Sequence, residues 1–340
     1  MSEATAEVTL QINLIPSDLP HAEHILRHQL RQLASQVSEI LFVVDANKGR
    51  GPRFARWPEG LTELRRLLDD CCAAYAHAAV IDVDYSAAAT DDLSSALFCG
   101  RRVPPHDWKG NALYPYFFAL HKARHNYVFH MDSDIMLGGG SKTWTAEAVA
   151  ILQRRPEVLA CNPLPGPPTA DGRLRSQELA REPGAALAFK ADSLSSRLFL
   201  IDRGRLYSRV GVLPLTRPRR HRVCQAIAEG WPPYDLAEVM LSRAMQGRGL
   251  VRVDFLGTAP GMWSLHPSYR SRLFYDSLPR LIAQIEGGDI PETQRGCHDI
   301  NDGLIDWSGA KRSLASRLRR HADLVLSNMA EIVRRVHNAP

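Results

Sequence analysis

The sequence predicts an α/β protein: a doubly wound, mostly parallel sheet with helices on both faces, and a C-terminal helical extension. Strand-like and helix-like segments alternate as β-α-β-α-β over the first 85 residues, the order that a parallel sheet requires. The second strand, EILFVVDAN, is a continuous apolar run, as expected of a parallel strand buried on both faces. At 340 residues with 45% apolar and 23% charged residues, the chain is long enough for a large core and ordinary in composition for a globular protein.

The first strand is VTLQINLI from Val8, β-rich and alternating, closed by Pro16-Ser17-Asp18. Residues 21–38 place Ile25, Leu26, His28, Leu30, Leu33 and Val37 at mixed three- and four-residue spacings, an amphipathic helix. After EILFVVDAN a second helix runs from Leu61 to about His77 and leads to AAVIDVDY. Ligands on such sheets bind beyond the carboxyl ends of the strands, which here are Pro16 to Asp18, Asp45 to Lys48 and Asp82 to Tyr85. A loop with Arg101, Arg102 and Lys109-Gly110-Asn111 precedes a helix over Ala112 to Arg124, and then the strand NYVFHMDSDIML. Residues 141–155 read as helix, VLACNP as strand, and the Pro- and Gly-rich segment 163–183 as a mobile loop. ALAFK and SRLFLID are further strands, followed by a short helix ending at Gly211, a Pro/Arg-rich loop at 213–222, a helix near 235–247 and VRVDFLG. The expected divisions are 1–154, 155–270 and 271–340.

Residues 308–338 read as one long helix. Leu318, Ala322, Val325, Met329, Ile332 and Val336 repeat at 4-3-4-3-4, a narrow seam of coiled-coil type. Arg312, Arg317, Arg319, Arg320, Arg334 and Arg335 lie on its other faces. Such a helix suits packing on the body, a homodimer seam, or peripheral contact with an anionic membrane surface.

The sharpest chemical signal is Asp132-Ser133-Asp134 after an apolar strand. On an extended strand both carboxylates would point to one face, and two adjacent anions call for a cation. Hard carboxylate oxygens suit Mg2+ or Mn2+, ions that bridge protein and phosphate. Asp235 and Glu238 lie three apart at a helix start after Trp231-Pro232-Pro233, where one could take a proton from an acceptor hydroxyl; helix capping is the competing role. His130, two residues before Asp132, reads as a sheet residue.

LIPSD, FVVDAN and VFHMDSD, in that order, resemble the GT-A glycosyltransferases, a Rossmann-like fold, and family 2 in particular, over roughly residues 8–266. The resemblance implies a nucleotide-diphosphate sugar as donor and a hydroxyl acceptor, whether saccharide, lipid-linked or small molecule. It implies that Pro16 lies at the donor site, that Asp45 contacts the base, that Lys109 and Asn111 lie near the donor, and that Asp132 and Asp134 hold metal and diphosphate. His266 looks like the histidine that completes the metal site in several such enzymes, and the family 2 likeness leans toward inversion, with retention the alternative. The chain departs from the pattern at Ala46-Asn47-Lys48, where the family run is Asp-Gly-Ser, and at Tyr234-Asp235-Leu236-Ala237-Glu238, in place of a Glu-Asp pair.

Other classes fit less well. A haloacid-dehalogenase-like phosphatase carries its DxD at the first strand, and a sugar nucleotidyltransferase needs a Gly-rich loop where Pro16-Ser17-Asp18-Leu19 stands. A non-catalytic scaffold of the same fold would be expected to lose the carboxylates. The net charge of +5 with no basic-aromatic run argues against nucleic acid. Scattered cysteines without CxxC spacing, a start without signal character and no apolar span lead to a cytoplasmic expectation.

Overall fold

The computed structural model describes residues 7–47, 57–182, 187–310 and 314–337, and in its last helix the side chains of Arg319 and of residues 321–334. Lys48, the N-terminal residues 1–5, and the side chains of Arg312, Arg317, Leu318, Arg320, Arg335 and Val336 lie outside the described residues.

Alternation of β and α units holds through the first half. β1 (Val8–Leu14) leads through a 3-10 turn at Pro16–Asp18 to α1 (Leu19–Leu33), β2 (Glu39–Val44), α2 (Trp57–Ala74) and β3 (Ala78–Asp82). α3 (Ala87–Leu97) and α4 (Tyr114–Lys122) precede β4 (Tyr127–Asp132), β5 (Met136–Gly138), α5 (Trp144–Arg154) and β6 (Val158–Pro165). The chain continues through β7 (Ala180–Arg181), β8 (Ala188–Ala191), β9 (Leu198–Asp202) and the single turn α6 (Arg203–Arg205), with a π turn ending at Gly211. α7 (Arg220–Glu229), α8 (Ala237–Gln246), β10 (Val251–Phe255), β11 (Trp263–Leu265), α9 (Arg272–Gly287) and α10 (Leu314–His337) complete it.

The sheet order is β3-β2-β1-β4-β9-β6-β10-β8-β7, and β11 joins β6 to β5. β3, β2, β1 and β4 are parallel. β9 runs antiparallel between β4 and β6, whereas β6 and β10 are again parallel. The fold is thus α/β on a mixed, mostly parallel sheet, as the sequence predicts. Side-chain alternation divides its core. Leu10, Ile12, Phe42 and Val44 pack with Leu26 and Leu30 of α1, Leu68 of α2 and Trp144 of α5. The opposite face sets Leu41, Val43 and Val128 against Leu93, Phe117, Met240 and Leu241 of α3, α4 and α8.

The structure differs from the sequence expectation in four places. NYVFHMDSDIML is not one strand: β4 ends at Asp132, the Ile135 N–H donates back to the Asp132 carbonyl (3.2 Å), and β5 begins at Met136. α3 and α7 stand where the sequence showed no helical stripe; α3 is short and Ala/Ser-rich, and begins with the Ser86 hydroxyl accepting from the Ala89 N–H. The 163–183 segment is tied to residues 295–298 through the Gly296 N–H to the Pro167 carbonyl (2.7 Å) and the Arg175 N–H to the Gly296 carbonyl (2.7 Å). Residues 272–307 belong to the body, with Phe274, Leu278 and Trp307 packed against Met136, Trp263 and Leu265.

α1 carries two imidazoles on its buried face. The Leu137 N–H donates to His28 Nε2 (3.0 Å), so His28 Nδ1 holds the proton donated to Glu286 (2.7 Å). Burial outweighs Glu286 and depresses the His28 pKa. The unfolded chain therefore takes up this proton first as pH falls. Stability should decline as pH drops below about 6.5, and His28→Gln should flatten that part of a urea-stability profile. At the sheet centre, Phe129 is fully buried on β4; Phe129→Ala should cost about 3–5 kcal/mol in urea unfolding.

Candidate active site

A cleft of about 450 Å³ opens at the carboxyl ends of β1, β2 and β4, lined by the ends of these strands, the 107–112 loop and the start of α8. Such a crevice is where an open α/β sheet binds ligands. One edge is built by β1. Beyond Leu14 the chain turns, and Asp18 accepts from the Ile15 N–H (3.0 Å). Pro16 begins that turn and is buried behind the lining. Asp45, just past β2, accepts from the Asn47 N–H (3.0 Å) and Tyr85 Oη (3.1 Å). Burial pushes its carboxyl above the usual range, against both hydrogen bonds.

The 107–111 loop is held from within. Asp107 accepts from the Lys109 N–H (2.7 Å), the Asn111 N–H (3.0 Å) and Asn111 Nδ2 (3.0 Å). Gly110 has φ +79° beneath the Trp231 ring, where a Cβ would lie 2.7 Å from the indole, so glycine is demanded twice over. Trp231 of the Trp-Pro-Pro turn therefore seats this loop. Asp107 was missed in the sequence, although Asp-x-Lys-Gly-Asn is the pattern of a side chain bonding its own following backbone.

Asp132 and Asp134 part company at the turn. The Asp132 side chain is 38% exposed in the cleft, 3.6 Å from His130 Nε2, whereas that of Asp134 is 1% exposed. Asp134 Oδ2 receives Arg270 Nε (2.8 Å) and Nη2 (2.7 Å), and Arg270 Nη1 reaches Asp18 (3.2 Å). His266 Nε2 lies 3.6 Å from the same oxygen, and Asp134 Oδ1 is buried with no protein partner among the described residues. Burial opposes ionisation of Asp134, but Arg270, His266 and His21 outweigh it and hold the carboxyl well below the ordinary range. The expectation that both carboxylates share one strand face is corrected: Asp132 ends β4, and Asp134 lies within the reverse turn that follows. Among the described residues no group of three or more His, Cys, Asp or Glu converges as a ready-made cage. His266 is instead bracketed by Arg197 Nη1 (3.2 Å) and Asp299 (3.3 Å). Nothing in the local sequence around Arg270 or Arg197 marked either of them.

The two carboxylates near α8 also separate. Asp235 precedes the helix, is buried, and accepts from Thr216 Oγ1 (2.8 Å) and Arg243 Nη1 (2.6 Å). It does not line the cleft, so the expectation that it faces the donor directly is corrected; its turn aims it at Thr216 and at Arg243, two helical turns on. Glu238, in the first turn of α8, does line the cleft and accepts from Ser196 Oγ (3.3 Å). Glu238 and Arg197 also line a second cavity of about 610 Å³, walled by Ser176, Gln177, Ser193, Ser264 and His298. The two cavities meet at this pair.

No family model matches the sequence, and no curated protein matches it. Solved structures do resemble the chain. One is Staphylococcus aureus TarS residues 1–349, at 13% identity, covering 84% of this chain and 67% of that one, with a TM-score of 0.39. The same fragment in complex with UDP-GlcNAc gives 13%, 84%, 68% and 0.38. The mannosyltransferase PcManGT from Pyrobaculum calidifontis, in complex with GDP-Man and Mn2+, shares 13% identity over 99% of this chain and 77% of that one, with a TM-score of 0.37.

Proposed function

We propose that this protein is a glycosyltransferase that moves a sugar from a nucleotide-diphosphate donor to a hydroxyl acceptor, with a divalent cation, Mn2+ or Mg2+, at Asp132 and Asp134. The observation that carries this reading is the pair of polar cavities meeting at one carboxylate, Glu238. Transfer between two bound molecules needs two adjoining sites and a base where they touch.

The charge of the first cavity supports the cation. Asp18, Asp45, Asp107, Asp132 and Glu238 line it against Lys109, Arg197 and Arg270. A dianionic diphosphate would meet a formally negative wall, and added positive charge removes that barrier. The donor set fits the ion. Asp134 Oδ1 is a buried hard oxygen awaiting a partner, Asp132 is accessible, and His266 Nε2 approaches the same carboxylate. With too few protein ligands for a closed cage, the remaining positions fall to diphosphate and water oxygens, the usual arrangement for Mg2+. When bound, the ion would neutralise charge on the departing diphosphate.

The protein's own groups do the rest in this reading. Asp45, at the end of β2, receives the base of the nucleotide, and the Asp107-braced loop offers Lys109 and Asn111 along the donor. Arg270, which lines the cleft, would exchange part of its pairing with Asp134 for phosphate oxygens. Glu238 takes the proton from the acceptor hydroxyl as it attacks the anomeric carbon, and the nucleoside diphosphate departs on the opposite side with inversion. The acceptor occupies the second cavity, whose hydroxyl, amide and imidazole groups suit a polyhydroxylated molecule.

Glu238→Gln keeps shape and removes basicity. It should lower kcat by at least about 100-fold with donor affinity little changed, measured by product release and donor calorimetry; full activity, or a retained anomeric configuration, would exclude this base. Asp235→Asn should act on stability instead, at about 1–2 kcal/mol, discounted because Arg243 is half exposed. Asp134→Asn should weaken Mn2+-dependent donor binding at least about tenfold. An unchanged metal dependence in calorimetry would remove the cation from Asp134.

A further inference from the structure

α10 is turned inside out relative to an ordinary surface helix. Among the described residues, His321, Leu324 and Asn328, at i, i+3 and i+7, contact the body. His321 Nδ1 pairs with Glu229 Oε1 (2.6 Å), and Asn328 Nδ2 donates to the carbonyls of Ala228 (3.1 Å) and Ile227 (3.3 Å). Leu324 packs on the Trp108–Ala226–Trp231 cluster. Among the described residues, three large apolar side chains of the helix face water instead: Leu326, Met329 and Ile332 are between 53% and 63% exposed, as is Ile227 on the neighbouring α7. An amphipathic helix packed on a protein normally buries such a stripe.

The charge of the chain is gathered around the same feature. Residues 217–222 and 311–335 hold eleven of the 42 Lys and Arg but two of the 37 Asp and Glu, leaving 31 against 35 over the rest of the chain. The whole positive excess therefore sits in these two stretches of the sequence. Arg217, Arg219 and Arg220 are exposed before and at the start of α7, and Arg319 and Arg334 are exposed on α10.

We infer that the α7/α10 face docks on an anionic phospholipid surface, with Leu326, Met329, Ile332 and Ile227 entering the headgroup–acyl boundary and the arginines meeting lipid phosphates. Charge complementarity decides the occupant. A second copy would bring an equally basic face against this one, whereas an anionic bilayer answers both the stripe and its arginines. Docking here also has a fixed relation to the cleft. Leu324 packs on the cluster that contains Trp108 and Trp231, and Trp231 lies over Gly110 of the Lys109–Asn111 loop, so the lipid surface would lie next to the loop that rims the donor cavity.

The test is sedimentation of the full chain with vesicles of phosphatidylcholine alone or mixed with phosphatidylglycerol. Binding should require phosphatidylglycerol and weaken with added salt. Leu326→Glu with Met329→Glu should reduce it at least about tenfold, with an unchanged melting curve because both positions are exposed. Arg219→Glu with Arg220→Glu should do the same without touching α10. The inference is overturned if the wild-type chain stays in the supernatant with both vesicles, or if both variants bind as well as wild type. It is equally overturned if light scattering shows a dimer that Leu326→Glu with Met329→Glu dissolves and no vesicle is bound. None of these readouts uses sugar transfer, so they stand apart from the proposed activity.

Discussion

Arg270 is the cation on which the arrangement of the cleft depends. The turn after β4 drops a carboxylate, Asp134, into a fully buried position, where an unpaired charge would cost several kcal/mol. The answer comes from 136 residues further along the chain, and the same guanidinium reaches Asp18 at the foot of β1. One side chain thereby joins the first strand's exit, the β4 turn and the segment leading into α9. The packing of α9 on α1 and β5 brings the arginine to this position. The floor of the cleft and the core beneath α9 are consequently a single mechanical unit.

Above that floor, rigidity is distributed unevenly. Asp107 and Trp231 lock one rim through backbone hydrogen bonds and a forced glycine, and Tyr85 braces Asp45 on another. Glu238, where the two cavities join, has lighter support, a long bond from Ser196, while Arg197 beside it leans on His266 at 3.2 Å and on Asp299 at 3.6 Å. Under the proposed function, the junction would need room for an approaching hydroxyl, while a binding rim gains from being preformed.

Legibility in the sequence followed the range of the forces involved. β1 and the edge strand β3 were legible from alternation and β-rich composition, whereas β2 and β4 announce themselves because burial on two faces imposes largely apolar runs that no partner must be known to see. The site residues at strand ends, Asp45 and Asp132, were readable for the same reason. Asp134 was named but misplaced, since Ile135-Met136-Leu137 continue the apolar run and hide the turn at Ser133. Asp235 and Glu238 were both named, yet Asp235 is held away from the cleft by Thr216 and Arg243, which local spacing cannot reveal. Arg270, Arg197 and the His266–Asp299 contact arise from long-range packing, and no window of sequence contains them. α3 and α7 escaped because neither shows a full apolar stripe.

The antiparallel placement of β9 has a bearing on how the chain is made. β4 and β6 are not neighbours; each hydrogen-bonds to β9, which lies between them. During synthesis the four parallel strands can assemble as soon as β4 has emerged, but the free edge of β4 stays open until Leu198–Asp202 arrives. For about 65 further residues, some several seconds of elongation, the nascent chain exposes the edge of a strand of the central sheet, the kind of edge that recruits foreign strands. β9 closes the edge of β4 and ties it to β6, and the sheet is complete only when β10 follows between β6 and β8, so the vulnerable interval in the life of this protein falls before its second cavity exists.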